Sequence, residues 1–133
     1  MAKQKRENRK VGRVLLAEPL KVVMCSIGAQ VRYELTTSNI SFGGFFLQFD
    51  SPGRFPFTPA SIMEVWLSLD DNTTLFFNGK MARVVHHGDP REHETGTGIA
   101  ISIVQIDSKM DDKLRRFVLE KHNEQKGASE TVA

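Results

Sequence analysis

The 133-residue chain has one cysteine, Cys25, so it cannot form a disulfide within itself. Cys25 follows Val22-Val23-Met24, which suits a small buried hydrophobe better than a reactive thiol. No apolar run approaches the ~18 to 20 residues that span a bilayer. The N-terminus carries positive charge, but no apolar core follows it. Glu18, Pro19 and Lys21 break the run from Val14 to Met24. These absences point to a cytoplasmic protein without a membrane partner. No internal repeat and no low-complexity block is found.

Catalytic signatures are scarce too. Ser41 has no evident histidine and acid partner, and Gly43-Gly44 lacks the nucleophile-elbow pattern. Gly96-Thr97-Gly98 leads into a strand, so it is not a dinucleotide fingerprint. His86 and His87 are adjacent, and neighbouring strand residues point to opposite faces. With His93 they make a poor metal set, and no cysteine pair supports one. The expectation is a protein that is not an enzyme and needs no metal or cofactor.

What the chain does have is an uneven charge. Residues 1–13 hold Lys3, Lys5, Arg6, Arg9, Lys10 and Arg13 against Glu7, a net +5 within an overall +2. A basic arm on a mildly acidic body suits an anionic partner. At this length one domain is expected. Residues 1–8 read as a flexible arm, 9–122 as the domain and 123–133 as a disordered tail.

Period-two patterns fill the body. Val22 to Ser26, Val31 to Thr36, Phe45 to Phe49, Ile62 to Leu69, Thr74 to Val85 and Thr97 to Ile106 read as strands. Val31, Tyr33 and Leu35 would form one buried face of the second. Pro19 suits an edge or a bulge, and Gly79 a bulge or bend. Pro52, Pro56 and Pro59 mark a loop whose Phe55 and Phe57 are expected against the barrel. After Ile106 the period changes. Met110, Leu114, Phe117 and Val118 form a helical stripe over about residues 108–122, capped by Asp107 or Ser108. The stripe is expected to pack on the barrel or on a second subunit, which leaves a homodimer open. The sum is a mainly β fold, a six-stranded antiparallel barrel with a C-terminal helix.

Two short motifs carry chemistry. Arg9 and Arg13 stand four residues apart, with Arg6 just before them. Asn39-Ile40-Ser41-Phe42-Gly43-Gly44 lies between two strand-like runs as a long, mixed turn. Its polar side chains can bond backbone or a ligand, and its glycines admit close approach. Arg-x-x-x-Arg followed by Asn/Asp-x-Ser-x-x-Gly resembles the signature of the PilZ domain family. The resemblance implies a β-barrel that binds cyclic di-GMP through Arg9, Arg13, Asn39, Ser41 and Gly44, with Arg6 and Gly43 at the periphery. Arginine suits this ligand. It donates two parallel bonds to guanine O6 and N7, and charge-assisted bonds to phosphate. Asn39 stands where the family often has Asp, which removes a charge that could pair with an arginine. An arm that orders over the ligand would present a changed surface to a downstream protein. The alternative is a non-catalytic barrel that meets a protein or, less in keeping with these motifs, a nucleic acid through its basic arm.

Overall fold

Alternating apolar residues build six antiparallel strands that close into a barrel. The computed structural model describes residues 12–28, 31–48 and 57–132, with side chains to 126. The strands are β1 (Val14–Ser26), β2 (Tyr33–Ser41), β3 (Gly44–Gln48), β4 (Ile62–Ser68), β5 (Thr74–Val85) and β6 (Gly98–Ile106). A short helical turn, α1 (Glu92–Thr95), precedes β6, and a long helix, α2 (Ser108–Val132), follows it. Around the barrel the order is β1-β2-β3-β6-β5-β4, with β4 returning to β1. Closure gives every strand a neighbour on both sides.

The core follows the period. Met63, Val65 and Leu67 of β4 are buried, as are Leu75, Phe77 and Met81 of β5. Ile99 and Ile101 of β6 and Phe45 and Leu47 of β3 complete the wall. Each such side chain contributes about 1.5–3 kcal/mol when fully buried. Leu114 and Val118 of α2 join the same core, with Met110 and Phe117 packed against it. The helical stripe therefore covers the barrel, beside β1 and β5. Asp107 holds the cap position, and its carbonyl accepts from Asp111 N at 2.9 Å.

Three expectations need correction. Val31 is 60% exposed and Tyr33 38% exposed, so neither forms a core face. The chain joins the barrel only at Tyr33, opposite Met24 at the rim, where Tyr33 meets the buried Phe57 edge-on at 5.4 Å. Secondly, α2 continues past 122 to Val132. Glu, Gln, Lys and Ala in this stretch favour helix, and one glycine costs only about 1 kcal/mol. Gln125 Nε2 also donates to the Leu15 carbonyl, which ties the helix to β1. Thirdly, the long mixed turn is short. Asn39 and Ser41 belong to β2, Gly44 to β3, and only Phe42 and Gly43 turn. Phe55 lies outside the described residues.

Bulges fall where they were expected, with one more besides. The β1–β2 register shifts between Leu15 and Leu20, around Pro19. The β5–β6 register shifts between Asn78 and Gly79, and again between Met81 and Arg83.

Strand β3 is held closely to β6 at both ends. A Cβ on Gly44 would lie 2.0 Å from the Ile101 oxygen, and one on Gly98 would lie 2.0 Å from the Leu47 oxygen. Neither backbone can yield without breaking the ladder. A Cβ on Gly43 meets nothing within 4 Å. Gly44→Ala should therefore destabilise the fold by about 2–3 kcal/mol, lowering Tm by roughly 5–15 °C. Gly43→Ala should stay within about 0.5 kcal/mol. Thermal melting of both checks this, and equal melting points would contradict it.

Cys25 is buried in β1. Burial pushes its thiol above the usual range, and the Glu64 carboxylate, 3.7 Å from Sγ, adds to the effect. Since the thiolate is the reactive form, iodoacetamide at pH 8 should modify the native protein slowly and the denatured protein fast. Equal rates would show Cys25 to be open.

Candidate functional site

The site lies on the outside of the barrel, across four strands. Ile40, Phe45, Ile101 and Met81 form one cross-strand row that faces the core. The next row faces out. It runs from Asn39 to Phe46, Ala100 and Arg83, each the cross-strand partner of the one before. Beside it run Ser41, Gly44, Ser102 and Lys80. A cleft of about 120 Å³ sits on these rows. Arg13, Asn39, Ser41, Gly43, Gly44 and Arg83 are among the residues that line it.

Each signature residue can now be placed. Arg13 stands immediately before β1, where Val14 pairs with Ile40, so its side chain reaches the row of Asn39. Its guanidinium lies 3.7 Å from the Glu94 carboxylate, with both side chains about half exposed. Such a pair is worth about 0–1 kcal/mol, less than a charge-assisted bond to phosphate at about 1.5–3 kcal/mol. Ser41 Oγ donates to the Gly44 carbonyl at 3.3 Å, which braces the hairpin. Gly44 lacks a side chain because the Ile101 carbonyl occupies that space, so its smallness serves strand pairing first. Arg6 and Arg9 lie outside the described residues.

Asn39 is 8% exposed. The Thr37 hydroxyl accepts from its backbone N–H at 3.2 Å, and itself donates to the Phe46 carbonyl at 2.6 Å. The backbone around Asn39 is thus fixed, yet its side-chain Oδ1 is buried without a partner. The other such atom among the described residues is Arg83 Nε, which lines the same cleft. A buried polar atom left unpaired costs about 1–3 kcal/mol. An acceptor and a donor, both unpaired, therefore belong to residues that line one cleft.

The hairpin tip is docked on both sides. Ile103 N donates to the Gly43 carbonyl at 2.8 Å, and Arg115 of α2 lies 4.9 Å over the Phe42 ring. The turn of the signature therefore touches the C-terminal helix.

A second cavity of about 270 Å³ adjoins the first across Asn39 and Phe46. Leu15, Ser38, Gln48, Glu94, Thr95 and Gly96 complete its lining. The loop that carries Glu94 is held by Glu92, whose oxygens accept from Gly88 N at 3.0 Å and bond His87 Nδ1 at 2.9 Å. The first of these bonds, then the second, holds the Glu92 carboxyl below its usual range. His87 is thereby engaged, and no three metal-binding side chains converge among the described residues. Nor is any helix among them long and apolar enough to cross a membrane.

Sequence reasoning did not find Arg83, Phe46, Ala100 or Ser102. Phe46 was readable as facing away from Phe45 and Leu47. Arg83 was not readable, because strict alternation from Met81 turns it inward.

A model of the PilZ domain matches residues 4–120. No curated protein matches the chain at a significant level. Among solved structures, the chain resembles the inhibitor of motility MotI/DgrA of Bacillus subtilis at 13% identity and a TM-score of 0.64. That match covers 84% of this chain and 51% of the other. YcgR of Escherichia coli, in complex with c-di-GMP, is similar at 9% identity and a TM-score of 0.67, over 91% of this chain and 49% of that one. The chain thus spans about half the length of both. The isolated PilZ domain of YcgR with c-di-GMP matches at 12% identity and a TM-score of 0.56, over 89% of this chain and 94% of that one. At these identities the structures show a shared fold. With the family model covering most of its length, this chain belongs to the PilZ domain family.

Proposed function

We propose that the protein binds cyclic di-GMP in the cleft over Asn39, Phe46, Ala100 and Arg83. PilZ domains are non-catalytic receptor domains, so a receptor or effector role is the general frame. The observation that carries the proposal is the convergence of Arg13, Asn39 and Ser41 from two distant stretches on one cleft, where the buried Asn39 Oδ1 has no partner. Two of the similar structures, YcgR and its isolated PilZ domain, are complexes with c-di-GMP, which supports the reading by likeness of fold.

In this reading Arg13 leaves Glu94 for a phosphate oxygen, and Arg9 joins it from the arm. Asn39 and Ser41 contact the ligand or hold the arginines, with Arg6 and Gly43 at the edge. Closing of the basic arm over the ligand would offset its lost chain entropy with charge-assisted bonds. The altered surface would then be read by a protein partner. Phe42, in contact with Arg115, offers a direct route by which the hairpin could bias α2.

Isothermal titration tests the binding. We expect micromolar affinity or better, about −8 kcal/mol. Arg13→Ala should weaken it by about 1.5–3 kcal/mol without changing Tm, and Arg13→Lys should rescue little, since lysine has no fork. No heat at tens of micromolar ligand would exclude the receptor reading and favour a protein-binding barrel.

Hydrogen exchange across residues 3–13 tests the closing arm. Exchange should slow on adding cyclic di-GMP. Equal exchange with and without ligand would rule the mechanism out.

A further inference from the structure

We propose that Arg83 sets base specificity at this site, its guanidinium taking the O6/N7 edge of a guanine that lies on the cleft floor opposite Asn39. The inference rests on the cyclic di-GMP reading above.

Arg83 reaches the cleft through a backbone irregularity. Phe77 and Met81 face the core, so continued alternation would point Arg83 into it. Instead Met81 pairs with Ile101, Arg83 pairs with Ala100, and Ala82 is the extra residue between them. Such a bulge re-aims the side chain that follows it. Arg83 is half-buried, and an arginine with a structural role at such a position is normally held by a carboxylate. Among the described residues Arg83 has no ion pair, and its buried Nε has no hydrogen-bond partner. The Nε donor is left unpaired on a residue that lines the same cleft as Asn39, whose Oδ1 is also unpaired.

Phe46 and Ala100 stand between these two residues in the row, and Gly44 and Ser102 lie beside them. Gly44, Ala100 and Ser102 carry small or absent side chains, and Phe46 supplies a ring beside them. A flat heterocycle fits such a floor. Its edge toward Arg83 must offer acceptors only, because a guanidinium only donates. Guanine does so with O6 and N7, whereas adenine places an amino group beside N7. The edge toward Asn39 Oδ1 must offer a donor. Guanine has N1–H and the 2-amino group there, and adenine has none. The two free atoms thus ask for the same base.

Competition against labelled cyclic di-GMP tests this, using unlabelled cyclic di-GMP and cyclic di-AMP on wild type, Arg83→Met and Arg83→Lys, with melting curves for each. Wild type should prefer cyclic di-GMP at least tenfold. Arg83→Met keeps the stem and deletes the unpaired donor, so Tm should hold or rise. Its affinity for cyclic di-GMP should fall at least tenfold and its preference should collapse. Arg83→Lys should retain part of the affinity and still lose the preference. Unchanged affinity in both variants would overturn the inference while leaving the receptor reading intact. So would equal wild-type displacement by both nucleotides, or a parallel loss for both nucleotides in the variants, which would make Arg83 a phosphate contact. A collapse of Tm in both variants would make Arg83 structural and overturn it likewise. Failure of wild type to bind either nucleotide would overturn this inference and the receptor reading together.

Discussion

The close seating of β3 on β6 is the constraint on which the rest depends. Strand β3 has only five residues, yet it alone joins β2 to β6 and so closes the barrel. At each end of the pair a partner carbonyl fills the space where a Cβ would be, at Gly44 and at Gly98. Closure by so short a strand brings Asn39, Phe46, Ala100 and Arg83 into one outward row. Without that seating the row has no middle. The same contact that stabilises the fold therefore makes the floor of the cleft.

Seen this way, the glycine of the second motif is first a packing residue. Its neighbours in the motif divide the remaining work. Ser41 braces the hairpin, Phe42 takes the contact with Arg115, and Asn39 keeps a buried oxygen free. A polar atom that is buried, fixed by its backbone and unpaired is costly to keep. Arg83 carries the same cost from the far side of the row. Protein stability has been given up at the two ends of one row, as is common where a ligand is to be held.

Much of this was legible in the sequence. The strand faces of β4 and β6 followed from period two, and the α2 stripe from period 3.6, because burial dictates both. Gly79 and Pro19 announced their bulges, since each disturbs a regular ladder. Arg13 of the first motif and Asn39 and Ser41 of the second, 26 and 28 residues further on, line one cleft. The rest was hidden for physical reasons. The Ala82 bulge has no glycine or proline to mark it, so the new face of Arg83 could not be read. Pairing of Ser41 with Gly44 is a long-range result of β6, so the strands run further into the motif than local turn chemistry suggests. Tyr33 and Val31 alternate properly but lie at or beyond the rim, where alternation no longer means burial.

The central claim is that the row from Asn39 to Arg83 is the ligand floor. Nitrogen-15 NMR of the Asn39 side-chain amide and the arginine Nε–H groups, during titration with cyclic di-GMP, tests it most directly. The account predicts that the Arg83 Nε–H and Asn39 amide signals shift and gain protection from solvent exchange as the ligand saturates. It also predicts that signals from the groove between β1 and α2, around Leu20 and Phe117, move far less. Saturation with the Arg83 and Asn39 signals unmoved, and the changes gathered elsewhere on the barrel, would contradict it.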